Sequence, residues 1–157
     1  MRPPFRYAFR SLWADYAGSG AGFAFAAALL AFAQPALWAG AALAAGGTLF
    51  LVYFARTVCR QLTQYELDGT GIRARGPLGG AIRWEELRAL RLDYYSTRRD
   101  QEEGWMQLRL SDARTTLRID SGLERFAELA RAAARAAEAR GLAFDPATAA
   151  NLELLRG

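Results

Sequence analysis

The sequence predicts an α+β membrane protein. Residues 1–60 form a basic N-terminus and a hairpin of two transmembrane helices, and residues 61–157 form a water-facing domain of antiparallel strands closed by a C-terminal α-helix. Three observations predict it. Tyr16 to Ala55 is a run of forty residues without one charged side chain, about twice what a single bilayer-spanning helix requires. From Gln61 onward apolar and polar residues alternate at period two, and from Ser121 to Gly141 the period becomes 3.6.

The forty-residue run divides at Gln34-Pro35. Proline has no backbone donor and disfavours helix at the residue before it, so the break belongs at Gln34. The spans are then about residues 17–33 and 36–55, roughly 25 and 30 Å long at 1.5 Å per residue. Trp13, Tyr16, Trp38 and Tyr53 fall near the expected interfaces, where amphipathic rings settle. Small residues recur at four-residue spacing, Gly18 with Gly22 and Ala42 with Gly46 among them, which lets helix backbones approach closely. Ala31-Phe32-Ala33 has the small-x-small form of a signal cleavage site, but the preceding region is long and carries Asp15, and the second span would anchor the chain regardless.

Charge gives the hairpin its orientation. Residues 1–60 hold five arginines and one aspartate, a net of +4, whereas residues 61–157 hold fifteen arginines against fifteen acids. The excess lies on both flanks of the hairpin and none in its turn, so the positive-inside rule puts both termini in the cytoplasm. Arg10, Trp13, Tyr16, Arg56 and Arg60 are the expected membrane-interface anchors. A domain of zero net charge offers no broad basic face to nucleic acid. The lack of any lysine points to a GC-rich bacterial genome, hence a bacterial inner membrane.

In the water-facing domain strands occupy about residues 61–119. Gln61 to Asp68 reads as the first and turns at Asp68-Gly69-Thr70-Gly71, where glycine is expected to supply positive φ. Ile72 to Arg75 follows, then a Gly76-Pro77-Leu78-Gly79-Gly80 loop. Next come Ala81 to Trp84 and Leu87 to Tyr95. The charged loop at Arg98 to Gly104 leads into a hairpin, with Met106, Leu108 and Leu110 facing Leu117 and Ile119 and with Arg109 and Arg118 on the other face. Asp120 or Ser121 caps a helix over about 121–140 that stops at Gly141, and Asp145-Pro146 opens a short helix over about 146–155.

Tyr65-Glu-Leu-Asp-Gly-Thr-Gly-Ile72, Ile82-Arg-Trp-Glu-Glu-Leu87 and the closing helix together resemble the small bacterial membrane proteins that carry a pleckstrin-homology-like (PH-like) domain, in the YcxB-like layout of two transmembrane helices and one such barrel. The resemblance implies a PH-like antiparallel β-barrel closed by the helix. It also raises the question of lipid headgroups, for which Arg73, Arg75 and Arg83 are the candidate contacts. The alternative for that face is an ordinary solvated strand surface paired with Glu66 and Asp68.

The residues point to binding rather than catalysis. With no histidine and one cysteine, Cys59, the chain has neither the usual zinc ligands nor a Ser-His-Asp or Cys-His constellation, and no cofactor or metal is expected. Gly76 to Gly80 lacks the Lys-Ser/Thr of a phosphate loop. Trp84 and Trp105 read as core or barrel-mouth residues. Arg98, Arg99, Glu102 and Glu103 form the candidate partner loop. The function expected is a non-enzymatic, membrane-anchored interaction or scaffolding module whose partners are the bilayer and another membrane or peripheral protein, with homo-oligomers allowed. Two alternatives stand beside it: a sensor of anionic lipid, and an accessory subunit of a larger membrane complex whose specificity lies in the hairpin.

Overall fold

The computed structural model describes residues 4–77, 79–96 and 104–155, apart from the side chains of residues 10 and 11. The chain divides into two compact units, Phe9–Leu62 on one hand and Met1–Ala8 with Thr63–Gly157 on the other.

The first unit is a helical hairpin. Helix α1 spans Phe9–Phe32 and α2 spans Leu37–Leu62, so both run past the expected limits of 17–33 and 36–55 into the charged flanks. Arg, Leu and Gln are good helix formers, and nothing between Arg56 and Leu62 interrupts the hydrogen-bond ladder. Between the helices Gln34 takes φ 43°, a left-handed conformation uncommon outside glycine, and Pro35 prevents the first helix from continuing. Leu12–Phe32 and Leu37–Leu62 have mean hydropathies of 1.2 and 1.7 and are long and apolar enough to cross a membrane. Only 11% and 6% of those windows is buried, whereas a core helix of a soluble protein would be mostly covered.

Close approach of the two helices uses only some of the small residues. A Cβ added to Gly22 would lie 2.6 Å from the Phe50 ring, and one on Gly47 would meet Ala26 at 3.4 Å, while Gly18 and Gly46 have open space. At the charged ends Asp15 lies 3.8 Å from Arg60 and accepts the Tyr53 hydroxyl at 3.2 Å. Tyr16 donates to Gln61 Oε1 and sets its ring edge-on to Phe54.

The second unit holds two three-stranded antiparallel sheets. Strands β1 (Gln64–Leu67), β2 (Gly71–Arg75) and β3 (Gly80–Arg83) form one, and β4 (Ala89–Tyr95), β5 (Trp105–Ser111) and β6 (Thr116–Asp120) form the other. The sequence-based expectation of a closed barrel is corrected here: the described residues form two sheets and no closed ladder. A 3₁₀ turn at Trp84–Glu86 ends the first sheet before the second begins. Gly80 passes beside β6 so closely that a Cβ there would meet Leu117 at 3.1 Å and Thr115 at 3.2 Å, without a ladder between the strands. Ile72 and Ile82, Leu87, Leu92, Leu108, Leu110 and Ile119 are fully buried, and helix α3 (Phe126–Ala139) adds Leu129, Ala130, Ala133 and Ala137. Such small residues allow a helix to lie close on a sheet.

The β1–β2 turn also differs from expectation. Neither Gly69 nor Gly71 has positive φ. Instead Asp68 Oδ1 accepts the Thr70 N–H at 2.7 Å, the Thr70 hydroxyl at 2.7 Å and the Gly71 N–H at 2.8 Å, an Asx turn built by the carboxylate. Gly71 is needed for another reason: a Cβ there would collide with the Ile82 carbonyl.

Residues Phe5–Tyr7, expected to be only a basic leader to the membrane, are part of this domain. Phe5 and Tyr65 exchange backbone hydrogen bonds of 2.8 and 2.9 Å, and Glu124 N–H donates to Arg6 O at 2.9 Å. Tyr7 bridges Leu123, and its hydroxyl accepts the Asp120 N–H at 3.0 Å. Arg125, itself at φ 59°, places its guanidinium 4.7 Å from the centre of the Phe5 ring, within cation–π range. This pairing holds residues 121–125 out of a helix. That is why α3 begins at Phe126 and not at 121.

Helix α4 (Pro146–Leu154) packs along β4. Asp145 caps it, accepting the Thr148 N–H at 2.9 Å with Pro146 in the first turn, as the Asp-Pro pair predicts.

Candidate interaction surface

Alternation along the strands puts Arg73, Arg75 and Arg83 on the outer face of the first sheet, all exposed. Arg75 Nε lies 3.0 Å from Glu66 and Arg83 3.0 Å from Glu85. Of the three, only Arg73 has no ion pair among the described residues, so this face is largely self-compensated. Arg98, Arg99, Glu102 and Glu103 lie outside the described residues.

Of the expected interface anchors, Trp13 is exposed at 61%. Tyr16 and Arg60 join the helices through Gln61 and Asp15. Arg56 lines a cavity of about 580 Å³ with Asp15, Ser19, Phe50 and Tyr53. Arg10 lies in α1, but its side chain is outside the described set.

Two features escaped the sequence reading. The first is a cleft of about 680 Å³ lined by Glu85, Glu86, Arg88, Asp112, Arg114 and Arg140. Arg140 donates to the Glu85 carbonyl. Asp112 accepts the N–H groups of Arg114 and Thr115, both at 2.6 Å, and these bonds hold its carboxyl below the usual range. The cleft is lined by both signs of charge, and none of these groups pairs a nucleophile with a base.

The second is the outer face of the β4–β5–β6 sheet. Register sets Arg91 opposite Arg109 and Arg109 opposite Arg118. The adjacent row on the same face is Asp93, Gln107 and Asp120, and the next is Tyr95 with Trp105. Gln107 Nε2 donates to Asp120 Oδ1 at 2.8 Å. Tyr95 and Trp105 stack at 4.7 Å between ring centres and are 40% and 45% exposed. Trp105 therefore belongs to the surface rather than to the core or a barrel mouth. Trp84 is half-buried and donates its indole N–H to Asp68 O at 3.3 Å. The alternation of Arg109 and Arg118 was legible in the sequence. The register that brings Arg91 beside them was not, because β4 ends at Tyr95 and β5 begins only at Trp105, and no local pattern in the sequence specifies which residues of the two strands pair.

Among the described residues no three His, Cys, Asp or Glu side chains converge as metal ligands. Comparison with protein-family models, curated proteins and solved structures gave no match.

Proposed function

We propose that this chain is a non-enzymatic interaction and scaffolding module. In this reading the helical hairpin anchors it in a bacterial inner membrane with both termini cytoplasmic, and a PH-like domain docks another membrane or peripheral protein. The observation that carries the reading is the Phe5–Tyr65 pair. The chain leaves the domain after Ala8 and returns to it at Thr63, so the hairpin is a long excursion from one folded unit. If the helices span a bilayer, both ends must emerge on one side, in agreement with the basic flanks. Six antiparallel strands followed by a helix support the PH-like assignment. Anchoring raises the effective concentration of the domain toward other membrane-bound proteins, so a weak intrinsic affinity suffices.

The deciding experiment is gentle solubilisation of membranes after cross-linking, followed by purification of the full chain. A stoichiometric protein partner is expected, and recovery only as a free monomer would count decisively against the module. Orientation is checked separately. A cysteine introduced at Gln34 in a Cys59→Ser background should react with a membrane-impermeant reagent from the periplasmic side, and one introduced at Asp112 should not.

A further inference from the structure

We propose that the outer face of the β4–β5–β6 sheet is the docking surface for that partner, and that it takes an acidic segment carrying an apolar side chain. The inference rests on the reading above and deepens it by naming the chemistry. Like charges directly opposite one another on neighbouring strands destabilise a sheet, yet Arg91, Arg109 and Arg118 occupy one row across all three strands. Arg91 is partly offset by Asp145 at 3.5 Å. Arg109 and Arg118 have no ion pair among the described residues. A carboxylate arriving at this row would offset the like charges of Arg91, Arg109 and Arg118, and paired guanidinium N–H groups suit carboxylate geometry.

The remaining rows say which kind of anion is meant. An anionic bilayer would favour a uniformly basic face, but the row beside the arginines carries Asp93 and Asp120. A peptide can match alternating rows, with acidic groups over the arginines and donors over the carboxylates. Beyond them the exposed Tyr95–Trp105 stack offers an apolar seat four strand positions away, about 13 Å at the usual rise. Exposed stacked aromatics of this kind commonly anchor protein interfaces.

The test uses the full chain in nanodiscs of zwitterionic lipid, titrated with a short synthetic peptide bearing a glutamate block and, about four residues on, a tryptophan. Binding is expected at low salt, weakening as salt rises. The double variant R109Q/R118Q should lose at least about tenfold in affinity while its melting temperature stays level or rises, because repulsion within the row is relieved. Trp105→Ala should weaken binding of the tryptophan peptide and leave a tryptophan-free version unaffected. The proposal is overturned by equal affinity in the wild type and R109Q/R118Q, by equal binding of a glutamine-for-glutamate peptide, or by no binding at low salt. It is also overturned, in favour of a lipid site, if phosphatidylglycerol-containing vesicles displace the peptide through Arg109 and Arg118. Peptide titration decides this surface and co-purification decides the parent reading, so the two failures are distinguishable.

Discussion

Thr148 Oγ1 accepts the Leu92 backbone N–H at 3.1 Å, and from the next turn of α4 Asn151 Nδ2 donates to the Leu92 carbonyl at 2.7 Å. Both groups of Leu92 point away from β5, at the free edge of β4. An uncovered edge strand invites pairing with another chain, and here two helix side chains close it. Thr148→Val should leave a buried N–H without an acceptor and cost about 1–3 kcal/mol. Asn151→Ala should cost about 1 kcal/mol and increase self-association. Denaturant melts and light scattering of the two variants check this.

Phe5 is 3% exposed and closes the β1 edge in the same sense. Phe5→Ala should destabilise the strand domain by about 3 kcal/mol, unusually large for a residue ahead of the first helix. A fragment of residues 63–157 alone should melt well below one in which residues 1–8 are joined to it by a short linker. Equal melting of the two fragments would show that the N-terminal segment is not integral to the fold.

Gly22 lies under the Phe50 ring. Replacing it with leucine forces that ring aside, and overpacking of this kind costs about 1–3 kcal/mol. Gly46→Leu, where a Cβ meets nothing within 4 Å, should be tolerated. Detergent-unfolding curves of the hairpin should separate the two variants clearly.

Three aspartates are expected to make the strand domain acid-sensitive. The Thr70 hydroxyl and N–H, with that of Gly71, hold Asp68 below the usual aspartate value of 3.8. The Arg114 and Thr115 N–H groups do the same for Asp112, and the Thr148 N–H does so for Asp145. Folded pKa values below unfolded ones mean that the unfolded chain takes up protons first as pH falls. The stabilisation is therefore complete above about pH 4–5 and lost as pH drops through the depressed values. Thermal melts between pH 6 and pH 2.5 should show this loss, and D68N/D112N/D145N should flatten the pH dependence. An unchanged slope in the triple variant would exclude these turns as its source.

Local signals in the sequence were enough for the elements and their kinds. Gln34-Pro35 divides the apolar run because proline lacks a donor, and the period-two stretches became strands because their apolar faces had to be buried. The Asp145 cap was legible for the same local reason. The start of α3 was not, since Ser121 to Arg125 has a helical pattern that loses to pairing with residues distant in the chain. The candidate surface shares that origin: arginines on separate strands become a row only through register.

The sequence by itself determined two helices long and apolar enough to cross a membrane, a strand-rich domain with a C-terminal helix, and a chain without histidine. These follow from composition and periodicity, which act over a few residues at a time. Tertiary structure alone decided that the strands form two sheets rather than a closed barrel, that Phe5–Tyr7 belongs to the domain beyond the hairpin, and that Arg91, Arg109 and Arg118 share one face. Each of those depends on hydrogen bonds between residues far apart in the chain, for which no local pattern specifies the partner.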